Sequence, residues 1–100
     1  MDTIRIVSYN QWNNTNNREA WEALNLDCSS KVRSKGHATV FKELMPDIVG
    51  AQEVNKDMQT DLMLCLLEKN LNYTMLWGNL TPIFYRADKF ELLDKFQQLI

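Results

Sequence analysis

The stretch Pro46-Asp47-Ile48-Val49-Gly50-Ala51-Gln52-Glu53 decides the architecture. It opens on a turn-forming pair, runs through small and branched apolar residues, and closes on an amide and a carboxylate. A near-continuous apolar run bounded by a turn signal is the pattern of a strand covered on both faces. Charge inside such a strand is costly unless it is paired or bound to a metal, so Glu53 belongs at the strand's end. In open α/β sheets, strand ends border the ligand crevice. Ile4-Arg5-Ile6-Val7-Ser8-Tyr9-Asn10 has the same design and delivers Asn10 at its exit. Two strands that each finish on a hard oxygen donor imply a site for a metal ion and a phosphate.

Between these strands lies Gln11-Trp12-Asn13-Asn14-Thr15-Asn16-Asn17-Arg18, rich in asparagine and without periodicity. That composition favours turns, so it reads as a loop at the mouth of the crevice, either touching substrate or facing solvent. A short helix is expected over Glu19–Leu26 with Trp21 and Leu24 turned inward. A longer one starts near Ser29 or Ser30, either of which can cap it. His37, Val40, Phe41 and Leu44 follow the i, i+3, i+4, i+7 spacing of one buried face, and Pro46 ends the helix. Asn55 caps a further helix to about Asn70, with Met58, Leu62, Cys65 and Leu66 as its apolar stripe. Strand-like segments follow at Tyr73–Trp77, Thr81–Tyr85 and Phe90–Phe96. The order β-α-β-α-β-β-β predicts an α/β fold, a mixed β-sheet with helices on one face.

Three segments resemble the endonuclease/exonuclease/phosphatase (deoxyribonuclease I-like) superfamily. They are Ile6-Val7-Ser8-Tyr9-Asn10, the Pro46–Glu53 stretch, and Thr81-Pro82-Ile83-Phe84-Tyr85-Arg86-Ala87-Asp88-Lys89-Phe90-Glu91-Leu92-Leu93. Each alone is weak; in this order they run through nearly the whole chain. The resemblance implies a four-layered α/β sandwich of two facing sheets, of which residues 1–100 supply one, the N-terminal part of a single domain that looks truncated. It also implies a magnesium-dependent phosphoesterase, with manganese as a substitute, acting on a phosphate ester of nucleic acid, phospholipid or inositol phosphate.

By that resemblance Glu53 is the metal-binding glutamate. The plainer alternative is a strand-end glutamate in solvent or paired with a lysine. Asn10 matches the family's asparagine beside the metal, assigned here as catalytic and metal-adjacent. Its amide can accept a hydrogen bond from water and donate one to a phosphate oxygen. As a bland alternative it is a turn asparagine. Gln52 is expected to pack or to bond backbone near Glu53. Arg33 resembles the family arginine that opens this helix and is expected to form an ion pair; Arg86 is expected to pair with Asp88 or another acid. His37, the sole histidine, reads as a partly buried helical residue bonding backbone or solvent rather than as a base. The family's catalytic histidines, its Asp-x-Asn pair and the aspartate that orients a histidine have no counterpart in the chain. A competing reading is therefore a non-catalytic half-domain or pseudoenzyme remnant that needs a partner to complete its fold.

Composition bounds these readings. One hundred residues make one small domain, and 45% apolar with 24% charged residues is ordinary for a globular chain. A net charge of −2 gives no electrostatic case for strong nucleic-acid binding. No apolar run approaches the roughly 20 residues of a membrane span. Met1-Asp2-Thr3 lacks the basic and apolar regions of a secretion signal, which places the expected setting in the cytoplasm and leaves the Asn-x-Thr frames at Asn13, Asn72 and Asn79 with little meaning. Cys28 and Cys65 have no metal-ligand spacing; Cys65 reads as a small core residue. The sheet face left without helices is expected to promote self-association.

Overall fold

The computed structural model describes residues 3–16 and 18–93. Strand β1 (Ile6–Asn10) leads through helices α1 (Arg18–Ala23) and α2 (Ser30–Leu44) into strand β2 (Ile48–Gln52). Helix α3 (Lys56–Glu68) follows, then strands β3 (Tyr73–Leu76) and β4 (Ile83–Arg86). The four strands form one mixed sheet in the order β1-β2-β4-β3. β1 and β2 run parallel; β4 is antiparallel to both β2 and β3. The expected mixed α/β sheet is what the chain forms.

The helix limits follow from local chemistry. The Ser29 hydroxyl accepts from the Val32 amide and the Asn55 carboxamide oxygen accepts from the Met58 amide, so each residue satisfies a donor that its helix start leaves free. At the end of α1 the Leu26 amide reaches back to the Trp21 carbonyl and the Asn25 amide to that of Glu22, with Asn25 left-handed at φ 58°. This glycine-type stop explains why α1 is shorter than expected. It also turns Leu24 outward, 70% exposed, rather than inward. Met45 closes α2 in the left-handed region, its amide bonded to the Phe41 carbonyl, directly before Pro46.

One face of the sheet carries the core. Val49 and Ala51 of β2, Tyr73 of β3 and Phe84 of β4 pack against Ala38 and Phe41 of α2 and Met58, Leu62, Cys65 and Leu66 of α3. Val7 and Tyr9 extend it along β1. Phe41 sits at its centre, edge-on to Tyr73 at 5.2 Å and to Phe84 at 5.4 Å between ring centroids. Such aromatic pairs contribute about 0.5–1.5 kcal/mol beyond the area they bury. The whole Met58 stripe of α3 is buried as expected. On α2 the buried residues are Ser34, His37, Ala38 and Phe41, while Leu44 is 41% exposed at the helix end.

Among the described residues no helix packs on the opposite face. Alternation along each strand sends every second residue there. Pairing then aligns Ile6, Ile48, Tyr85 and Thr74 in one row, and Ser8, Gly50, Ile83 and Leu76 in the next. Ile6 is 70% exposed. Residues 90–92 border a cavity of about 220 Å³ with Ile48, Ile83 and Tyr85 on this face. The strand expected over Phe90–Phe96 is not present at 90–93, where the chain leaves a turn without ladder partners; 94–96 lie outside the described residues. At the amino-terminal edge Asp47 accepts from the Arg5 amide at 2.7 Å and from Lys89 at 3.0 Å. Arg86 pairs with Asp88 at 2.8 Å, as expected.

Candidate functional site

Asn10 and Gln52 are register partners at the carboxyl ends of the parallel strands β1 and β2. Glu53 follows Gln52, so the amide of Asn10 and the carboxylate of Glu53 leave the sheet along the same edge. Asn10 is exposed, and its Oδ1 accepts from the Trp12 amide at 2.9 Å, an Asx turn that starts the loop. Gln52 donates to the Gly50 carbonyl at 2.8 Å and to the Ser8 hydroxyl at 3.2 Å. That is the backbone-bonding role read from the sequence.

Glu53 has a left-handed backbone, φ 58°, and a half-buried side chain. Its neighbour Val54 is fully buried and bridges Leu80, with the Val54 amide 3.0 Å from the Leu80 carbonyl. Backbone geometry thus turns the glutamate out of the ladder while the next residue is held in the core. One carboxylate oxygen, Oε1, accepts from Asn16 Nδ2 at 3.0 Å. The alternative of a lysine partner has no support among the described residues.

Asn16 belongs to a loop that is more structured than its composition suggests. Gln11 and Asn14 are buried, not solvent-facing. Asn55 Nδ2 donates to Asn13 Oδ1 at 2.9 Å and to Asn14 Oδ1 at 2.6 Å, while Asn14 Nδ2 donates to the Cys28 carbonyl at 3.2 Å. Asn13 Oδ1 also accepts from the Thr15 amide and hydroxyl. The residue that caps α3 therefore also fastens the loop beside Glu53. Sequence reasoning assigned Asn55 its cap and missed this second role; the run of asparagines was the available signal, each carrying a donor and an acceptor on a short stem.

Arg33 is a correction. Among the described residues it forms no ion pair; its guanidinium donates to the carbonyls of Gln11 and Trp12, and it lies 5.8 Å from the centre of the Trp21 ring. It satisfies the carbonyls that β1 leaves free as the chain turns away. Trp12 itself is 47% exposed with φ 50°. Leu80, φ 68°, lies at the same edge across from Val54.

His37 stands apart from this edge. It is buried on α2 beneath β1, with Nδ1 2.7 Å from the Tyr9 hydroxyl and the Gln11 backbone close enough to favour the charged ring. Burial, reinforced by the nearby Arg33 cation, pushes the imidazole down to about 4. It is neutral at pH 7 and committed to the core.

Among the described residues no three His, Cys, Asp or Glu side chains cluster as a metal site. The edge offers one carboxylate and amide oxygens. Hard oxygens of this kind suit magnesium, which keeps several waters and is often held by only one or two carboxylates. Both cysteines, the soft donors, are buried elsewhere. No helix is long and apolar enough to cross a membrane among the described residues. Comparison with protein-family models, curated proteins and solved structures yields no match.

Proposed function

We propose that the chain is part of a magnesium-dependent phosphoesterase domain of the endonuclease/exonuclease/phosphatase type, acting on a phosphate ester. The observation that carries this reading is the alignment of Asn10 with Gln52, which brings an orienting amide and the Glu53 carboxylate to one sheet edge. In this reading Glu53 holds Mg2+, or Mn2+ in its place, and the Asn10 carboxamide orients a phosphoryl oxygen. The ion, when bound, would neutralise charge that develops on the phosphate. The helix-free face, with Ile6, Ile83 and Leu76 across three strands, suits a second sheet and supports the four-layered arrangement. A cytoplasmic setting belongs to the same proposal.

The competing reading, a half-domain without catalysis of its own, is favoured by a separate observation. The single histidine is buried and neutral, and no cluster of three His, Cys, Asp or Glu side chains forms among the described residues. The two readings agree that this chain alone turns over no substrate. They divide on metal binding. A Mn2+ titration of the 100-residue chain, followed by water-proton relaxation, is expected to saturate and to lose saturation in Glu53→Gln. A flat titration of the wild-type chain favours the non-catalytic reading. Phosphodiester hydrolysis with Mg2+ that disappears in Glu53→Ala would show that a base is present after all.

A further inference from the structure

Glu53 is held by more than its strand. Asn16 Nδ2 donates to Oε1 at 3.0 Å, and Asn16 is itself fixed, because its amide donates to the Asn13 carbonyl at 2.9 Å. Asn13 is fixed in turn by Asn55, two residues beyond Glu53. A closed circuit of side-chain and backbone hydrogen bonds therefore runs from the start of α3 through the loop and back to the carboxylate. A carboxylate has two oxygens and several lone-pair directions. The Asn16 bond occupies one direction and restricts rotation about the terminal torsions of a side chain that is otherwise partly free.

We propose that Asn16 is a positioning residue for Glu53: its carboxamide orients the carboxylate so that the remaining lone pairs are presented to a hard divalent cation. The role rests on the phosphoesterase reading of Glu53. Partners of this kind order a ligand before the metal arrives, and their removal typically costs roughly 10–100-fold in affinity. Asn16 is exposed, so its replacement leaves the core intact. Aspartate at this position keeps the size of asparagine and removes the donor to Oε1.

The test is Mn2+ affinity by water-proton relaxation for the wild-type chain, Asn16→Ala and Asn16→Asp, with a thermal melt of each. Asn16→Ala is expected to weaken binding roughly 10-fold or more with its melting temperature unchanged. Asn16→Asp, which keeps the size of the side chain but loses the donor to Oε1, is expected to weaken binding as Asn16→Ala does, whereas a role of Asn16 confined to the fold would move the melting temperature and not the affinity. Saturable wild-type binding that both variants leave unaltered overturns the positioning role and leaves the reading of Glu53 standing. Wild-type affinity in Asn16→Asp also overturns it, since binding would then not depend on the donor that Asn16 supplies to Oε1. A wild-type chain without saturable binding overturns both.

Discussion

Tyr9 and His37 meet edge-to-face, their ring centroids 5.3 Å apart, with the phenol oxygen 2.7 Å from the imidazole Nδ1. The contact fastens β1, the edge strand, to α2. Burial also raises the Tyr9 hydroxyl, so both groups are held neutral at pH 7. With the imidazole pushed down to about 4 against 6.5 when unfolded, the unfolded chain binds more protons between those values. The stabilisation from a neutral His37 is complete above pH 6.5 and is lost as pH falls from 6.5 towards 4. Thermal melts across that window are expected to show a loss of about 2 kcal/mol, less than full linkage would give because the unfolded chain retains some structure. His37→Gln should flatten the slope above pH 5. A wild-type curve already flat there would mean that the imidazole titrates normally.

Phe84 and Ile83 are neighbours in sequence and opposites in environment: 0% and 43% exposed. Phe84→Ala removes the ring that packs on Phe41 and should cost about 3–5 kcal/mol in urea unfolding. Ile83→Ala, on the helix-free face, should cost about 0.5 kcal/mol. Equal losses would show that both faces of β4 are packed in solution.

The helix-free face carries a concrete liability. Ile6 and Ile83 expose large apolar surface to water, and β1 is an edge strand. Sedimentation velocity should detect self-association of the wild-type chain. The double variant Ile6→Lys, Ile83→Lys should shift it to monomer without a large change in melting temperature. Persistent association of the double variant would place the contact elsewhere.

Asn55 serves both α3 and the loop, so Asn55→Ala should act on both. Loss of the cap alone costs about 1 kcal/mol. Freed Asn13 and Asn14 should add to that, and amide hydrogen exchange should quicken at Asn16 as well as at Met58. Asn55→Asp keeps the acceptor for Met58 and loses the donor for Asn13 and Asn14. It should therefore spare the helix while loosening the loop. Uncoupled exchange, with Asn16 indifferent to either variant, would show that the loop is fixed by other contacts.

Strands β1 and β2, and both long helices, were legible because their signals are local and strong: a bounded apolar run, Ser29 and Asn55 as caps, a complete stripe in α3. The limits of α1 were not, since the Asn25 stop depends on one left-handed residue within an otherwise helical pattern. The segment from Phe90 was expected as a strand from its strand-like residues and the resemblance of its Lys-Phe-Glu-Leu run, yet at 90–93 it has no ladder partner among the described residues, and local composition alone supplies none. Asn10 and Glu53 were legible as strand exits. The hold of Asn16 on Glu53 spans 37 positions and leaves no periodic trace. Arg33 was expected to seek an acid, but the chain reversal after β1 exposes carbonyls to it first.

Among the described residues three of the six left-handed non-glycine positions, Trp12, Glu53 and Leu80, crowd the sheet edge that carries the candidate site, whereas none of the three glycines has positive φ. Each such residue forgoes of order 1–3 kcal/mol that a glycine would recover. A sequence selected only for robustness would place its glycines there. This chain instead keeps large, chemically distinctive side chains where the backbone resists them, so the edge is where thermostability screens and functional screens should disagree. Trp12→Gly and Leu80→Gly would be enriched by the first and depleted by the second.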